Sequence, residues 1–312
     1  MNVVLGSPRG YCAGVVRALD IVELCLERFG APVYVRREII HNPHVVNELR
    51  AKGTIFVEEL DEVPSGSTVI FSAHGVAPSI WAAAQARKLR IIDATCPLVT
   101  KVHMEAAKYA REGYSIILVG HRGHDEVIGT MGQVPERTVL VETTEDARAV
   151  DVPNPERVVA LTQTTLSIDD TAEIIAILKE RFPGLLTRND ICYATTNRQS
   201  TVKSLTEQVD LVLVVGANNS SNSLRLRETA EAAGLPAYLV NDPEEIDEAW
   251  LQGIECIGIT SGASTPEWLV DAVVQRLRPR QVRNLAVMEE NVTFVLPKEL
   301  RPVVSVTESS SH

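Results

Sequence analysis

Short β-branched apolar runs alternate along this chain with stretches of helical period. Val3 to Leu5 reads as a strand and Gly14 to Arg28 as the helix after it; Val69 to Ser72 and Ser79 to Leu89 repeat the pair. Leu211 to Val215 is among the longest apolar runs and has strand length, far short of the roughly 18 residues that span a bilayer, so no membrane span is expected. Alternation of this kind predicts α/β architecture with parallel sheets. In such folds the loops after the strands collect on one edge, where chemistry usually sits.

Those post-strand loops carry polar or metal-binding residues in a recurring order. Cys12, His41 and His74 come first, within Pro8-Arg9-Gly10-Tyr11-Cys12, Ile39-Ile40-His41-Asn42-Pro43-His44 and Phe71-Ser72-Ala73-His74-Gly75. The order restarts with Cys96, then His124 and Glu126, then Thr164. It restarts again with Cys192, then the run Asn218 to Ser223, then Ser264. Cys12 and Cys96 lie 84 positions apart and Cys96 and Cys192 lie 96 apart, while His41, His124 and Ser220 follow their cysteines by 29, 28 and 28.

This regularity predicts three similar parallel-sheet α/β units in a pseudo-threefold arrangement, loop edges inward around a central cavity. The expected division is 1–96, then 97–190 with Cys96 at its start, then 191–280. A C-terminal extension, 281–312, would end in a disordered tail from Leu300 to His312.

At 312 residues and 45% hydrophobic, the chain can bury a sizeable core in two or three domains. A formal charge of −11 and the lack of a Lys/Arg block with interleaved aromatics argue against a nucleic-acid surface. The N-terminus has no basic region, long apolar core or small-residue cleavage site, which places the protein in the cytoplasm. Five cysteines, odd in number and widely spaced, are then not expected to form disulfides.

Cys12, Cys96 and Cys192 each stand where a helix begins, a position that favours thiolate. An isolated cysteine is commonly a small buried hydrophobe, but the threefold recurrence favours a ligand role. Cys25 and Cys256, on an apolar helix face and in a strand, are expected in the core. Three thiolates without a nearby fourth suit an iron–sulfur cluster with one open iron, or zinc held by the same three. Ser220, Ser221 and Asn222 precede a helical pattern from Leu224 to Ala233, and Ser264 with Thr265 precedes another from Pro266 to Arg276. Hydroxyls and free N–H groups there serve as helix caps or as an anion site, and the expected convergence with His41, His74 and His124 favours the anion. Glu126 is placed to deliver protons, whereas His44, His103 and His121 are assigned structural roles.

The strings Pro8-Arg9-Gly10-Tyr11-Cys12-Ala13-Gly14-Val15, Phe71-Ser72-Ala73-His74-Gly75-Val76, Asp93-Ala94-Thr95-Cys96-Pro97-Leu98-Val99, Thr162-Gln163-Thr164-Thr165-Leu166-Ser167, Ile191-Cys192-Tyr193-Ala194-Thr195-Thr196-Asn197-Arg198-Gln199 and Asn219-Ser220-Ser221-Asn222-Ser223 closely resemble the 4-hydroxy-3-methylbut-2-enyl diphosphate reductase family. The resemblance covers about residues 1 to 280. It implies reduction of that diphosphate to isopentenyl and dimethylallyl diphosphates, the last step of the methylerythritol phosphate route. It further implies one 4Fe-4S cluster on Cys12, Cys96 and Cys192 whose fourth iron takes the substrate hydroxyl. His41, His74, His124, Ser220, Ser221, Asn222 and Ser264 would hold the diphosphate. Thr164 would orient the hydroxyl end, Glu126 would supply protons for loss of water and for the allyl intermediate, and a ferredoxin or flavodoxin would donate electrons.

Three positions depart from the family pattern: Tyr11 stands for the usual Phe, Asp125 for Pro, and Ile128 for a frequent Glu. Asp125 sets an extra carboxyl beside Glu126 that could perturb it, an effect the sequence alone does not decide. A zinc hydrolase of a phosphorylated metabolite and a non-catalytic sensor of a phosphorylated ligand both fit the cysteine and loop spacings, but neither accounts for the motif strings.

Overall fold

The computed structural model describes residues 1–301, so the tail expected over 302–312 lies outside the described residues. The chain runs β1 (Asn2–Ser7), α1 (Ala13–Phe29), β2 (Val33–Arg36), α2 (Pro43–Ala51), β3 (Thr54–Val57), β4 (Thr68–Phe71), α3 (Pro78–Ala86) and β5 (Arg90–Asp93). It continues with α4 (Pro97–Arg111), β6 (Ser115–Val119), α5 (Asp125–Met131), β7 (Thr138–Val141), α6 (Thr144–Ala149), β8 (Val158–Thr162), α7 (Ile168–Arg181) and β9 (Leu186–Thr187). A third stretch holds α8 (Tyr193–Thr206), β10 (Leu211–Val215), α9 (Ser221–Ala232), β11 (Ala237–Val240), β12 (Cys256–Ser261), α10 (Glu267–Leu277) and β13 (Val282–Ala286).

These strands form three sheets, ordered β3-β2-β4-β5, β7-β6-β8-β9 and β11-β10-β12-β1-β13. Every pairing in them is parallel. The same strand order recurs in each sheet, and β1 fills the fourth place in the last. The chain therefore closes as a ring of three α/β units. The opening strand, which the sequence division groups with residues 1–96, pairs Val3 with Ile257 and Val282. A pairing between opposite ends of the chain leaves no trace in local hydrophobic period.

Each fourth strand leads through a cysteine into a helix that packs on the next sheet. The buried stripe Val15, Ala18, Ile21, Val22 and Cys25 of α1, at helical spacing, meets Val33, Val35, Ile70 and Ile92. In the same way Val102, Ala106 and Tyr109 of α4 meet Ile116, Leu118, Val159 and Leu161. Val202 and Leu205 of α8 meet Val4, Val212 and Val214. Leu211, Leu213 and Val215 of β10 face the opposite layer with α10, so this strand is apolar throughout because both its faces are covered.

Several boundaries differ from those expected. Helix α9 starts at Ser221, not Leu224, because its first turn, Ser-Asn-Ser, carries no apolar period. Pro266 caps α10 from outside instead of lying in its first turn. Helix α3 stops at Ala86, shortly before Lys88 turns left-handed at φ 55°. No helix among the described residues is long and apolar enough to cross a membrane.

After β13 the chain returns across the starts of α1 and α8. Leu296 and Leu300 pack on the α1 cluster, so Leu300 belongs to the core and not to the expected tail. Val295 accepts from Arg17 Nε at 2.9 Å. Glu290 pairs at 3.0 Å with Arg198, a fully buried side chain that also donates to the Gly10 carbonyl at 2.7 Å. Removing one partner leaves a buried charge uncompensated. Glu290→Ala should therefore lower unfolding free energy by on the order of 3 kcal/mol, read from the urea midpoint at unchanged slope. A loss no larger than that of an exposed pair, about 1 kcal/mol or less, would mean that water replaces the carboxylate.

Candidate functional site

The three inner loop edges meet at a cavity of about 110 Å³. Cys12, Cys96, Cys192, His41, His74, His124, Glu126, Thr164, Ser220, Ser221, Asn222 and Ser264 all line it. Every residue singled out for the site thus faces one space. His44, His103 and His121 do not line it. Cys25 is fully buried in the α1 core, and Cys256 is only partly buried at the start of β12. All five cysteines are free thiols.

Cys12, Cys96 and Cys192 are the N-cap residues of α1, α4 and α8. Between two of them stands Gly14, where a Cβ would lie 2.9 Å from Cys96 Sγ and 3.7 Å from Cys12 Sγ. Only a residue without a side chain leaves that space open. Helix starts were expected to favour thiolate, but burial outweighs them. It pushes the Cys96 thiol up to about 12, and raises Cys192 against hydrogen bonds from Thr195. The protein alone does not ionise these two sulfurs; bound cations would. Thr195, which sequence reasoning passed over, donates its N–H to Cys192 Sγ at 3.4 Å. Its signal was position, three residues past the capping cysteine.

The histidines cluster at the other side of the cavity. His41 and His74 stack with ring centroids 4.2 Å apart, and His124 meets both edge-on at 5.7 and 5.8 Å. Glu38 engages Nδ1 of His41 at 3.0 Å. Burial, then the neighbouring rings, holds His74 well below the usual imidazole range, and burial lowers His124 to about 4. His124 caps α5 by accepting the Glu126 N–H at Nδ1, so its neutral ring carries its proton on Nε2. Ser220 caps α9. Ser221 donates to the Thr165 carbonyl at 3.2 Å, Asn222 accepts from the Ala263 N–H at 2.8 Å, and Ser264 donates to the His41 carbonyl at 3.0 Å. The Ser221 and Ser264 bonds cross from the third unit to the second and first, and the Asn222 bond ties two loops of the third unit.

Glu126 is buried and held by one partner residue. Thr164 donates its N–H to Oε1 at 2.7 Å and its hydroxyl to Oε2 at 2.8 Å. Burial raises this carboxyl to about 7 against both bonds, with the charge of Asp190 a lesser upward influence. Asp125 is not among the causes; its side chain pairs with Arg37. Infrared spectra should show a neutral-carboxyl band that fades as pH rises through about 7 and is missing in Glu126→Gln. Thr164→Val removes a bond that favours the charged form and should move the midpoint upward. A downward movement would contradict this balance of burial against hydrogen bonding.

The family model described as LytB protein matches residues 3–278. The 4-hydroxy-3-methylbut-2-enyl diphosphate reductase 2 of Burkholderia mallei is 57% identical over 304 residues, covering 96% of this chain and 93% of the relative. The 4-hydroxy-3-methylbut-2-enyl diphosphate reductase of an Azoarcus species is 55% identical over 305 residues, covering 96% and 98%. Among solved structures, the E-1-hydroxy-2-methyl-but-2-enyl-4-diphosphate reductase of Plasmodium falciparum superposes with a TM-score of 0.93 at 40% identity, covering 96% of each chain. A second, described as the (E)-4-hydroxy-3-methyl-but-2-enyl diphosphate reductase that ends the non-mevalonate pathway, gives 0.65 at 35% identity over 89% of this chain and 99% of that one. With motifs, ring of sheets and near full-length similarity in agreement, the chain belongs to the LytB protein family.

Proposed function

We propose that this chain reduces 4-hydroxy-3-methylbut-2-enyl diphosphate to isopentenyl and dimethylallyl diphosphates, the last step of the methylerythritol phosphate route, using one 4Fe-4S cluster. The observation that carries the reading is the set of three capping cysteines, spaced by Gly14, on the same cavity wall system as Glu126 and the histidines. Their fit to the cluster rests on donor chemistry: three soft thiols among Val15, Ala73, Leu98, Val99 and Ala194, with no fourth cysteine lining the cavity. When bound, the cluster supplies single electrons and a Lewis-acidic iron.

The chain's own residues do the rest. Substrate, two electrons and two protons give product and water. The diphosphate would rest among His41, His74, His124, Ser220, Ser221, Asn222 and Ser264, with His124 Nε2–H and the first-turn N–H groups of α9 as donors. These are neutral donors at fixed positions, which suits a chain of net charge −11. Glu126 in its acid form would pass one proton through the Thr164 hydroxyl to the leaving oxygen as the carbon–oxygen bond breaks. After taking a proton from solvent it would serve the carbon, and the end of the allylic unit that receives it decides the product. The electrons would come from a ferredoxin or flavodoxin. We place the reaction in the cytoplasm, a reducing compartment that suits five cysteines of which none is in a disulfide.

Anaerobic purification with iron and sulfide analysis should yield a brown protein with roughly four irons per chain. Gly14→Ala, which crowds the Cys96 sulfur, should lose most of that iron with its helical content kept. A colourless protein carrying zinc would sink the redox mechanism. Glu126→Gln should retain the iron and cut turnover by about 100-fold or more. Because the proton donor is the acid form, wild-type turnover should fall as pH rises through about 7. Turnover of Glu126→Gln at the wild-type rate would remove this residue from the mechanism.

A further inference from the structure

A carboxylate stands behind the histidines of the proposed diphosphate pocket, close to their rings though it does not line the cavity. Asp125, the first residue of α5, is the position where the family pattern usually has proline. Its carboxylate lies within 4.8 Å of ring nitrogens of His41 and His74, and its side chain is only 14% exposed. A fixed negative charge there opposes any anion held by the same rings, and partial burial weakens the screening that water would provide. Left alone, Asp125 would make this a poor diphosphate site.

Arg37 answers that charge. It stands just past β2 with a left-handed backbone, φ 59°, a conformation rare for a long side chain, and its N–H is tied to the Val57 carbonyl at 2.7 Å. From there the guanidinium reaches across to the neighbouring unit and donates to Asp125 Oδ1. Its Nε is buried without a hydrogen-bond partner, so the side chain is not placed to satisfy its own donors. Glu58, the other carboxylate near it, is 84% exposed and 4.0 Å away, a far weaker partner. The positive charge also reaches His74, where it adds to the forces that keep the ring neutral.

We infer that Arg37 is a positioning residue for diphosphate affinity: by pairing with Asp125 it cancels the carboxylate that faces the phosphate-binding histidines. The inference rests on the reading of this pocket as the diphosphate site. It separates Arg37 from a simple tie between two units, because a tie and a charge shield respond oppositely when Asp125 is neutralised. Removing Arg37 leaves an anion against the pocket. Removing the charge of Asp125 as well abolishes the need for the shield, though it does nothing for a lost tie.

The test is a double-mutant cycle on the cluster-loaded protein with Arg37→Ala, Asp125→Asn and both together. Calorimetry with inorganic diphosphate gives the affinity, and steady-state assays give KM and kcat. Arg37→Ala should weaken diphosphate binding by about tenfold, with the effect falling in KM more than in kcat. Asp125→Asn alone should tighten binding, and in the double variant it should recover most of the loss. Thermal unfolding should show no such recovery, since the ion pair is broken in all three variants. A double variant as weak as Arg37→Ala, or Arg37→Ala binding as wild type does, would overturn the inference and leave the pocket's assignment standing. Wild-type protein that fails to bind inorganic diphosphate would overturn both.

Discussion

Every feature of the site depends on one constraint of parallel sheets: each strand must return to the edge from which it left, so all post-strand loops gather at one edge. Three such sheets closed in a ring direct three loop edges at one point. The cysteines occupy the crossovers from one sheet to the next, each capping a helix whose buried stripe belongs to the following sheet. Their positions are therefore set by three separate cores instead of by loop conformation. β1 completes the device, because filling the fourth place of the last sheet makes the Cys12 crossover equivalent to the other two.

Burial then decides the electrostatics. Burial pushes the Cys96 and Cys192 thiols up, the His74 and His124 imidazoles down, and the Glu126 carboxyl to about 7. A neutral site is costly to charge from within and receptive to charge brought from outside. Iron would ionise the sulfurs, and a diphosphate would meet neutral donors instead of a site already closed by internal ion pairs. Two carboxylates stand at the histidine side: Glu38 is held by His41, and Asp125 is paired with Arg37.

Much of this was legible in the sequence because it repeats. Strand-length apolar runs, the near-equal spacing of Cys12, Cys96 and Cys192, and the polar loops 28 or 29 positions later all survive as linear patterns. What was not legible is what depends on distant partners. Membership of β1 in the last sheet is a pairing of chain ends. The start of α9 was hidden because Ser221, Asn222 and Ser223 have no apolar period. Asp125 was visible as a departure, but beside Glu126 in sequence it looked like a neighbour in charge; helix geometry turns it instead toward Arg37. Thiol ionisation was judged from helix starts, where the deciding quantity was burial, which a sequence does not display.

The segment after β13 shows how the ring is locked. It supplies the Val295 carbonyl to Arg17 on α1 and the Glu290 carboxylate to Arg198 on α8, and Arg17 also donates to the Thr95 carbonyl one residue before Cys96. Two buried guanidiniums thus bind the same C-terminal strap to the neighbourhoods of all three cysteines. Buried cations of this kind need every partner, so the strap and the cysteine helices hold their places together or not at all. By linkage, a group that binds only the assembled cysteines stabilises the docked strap as well.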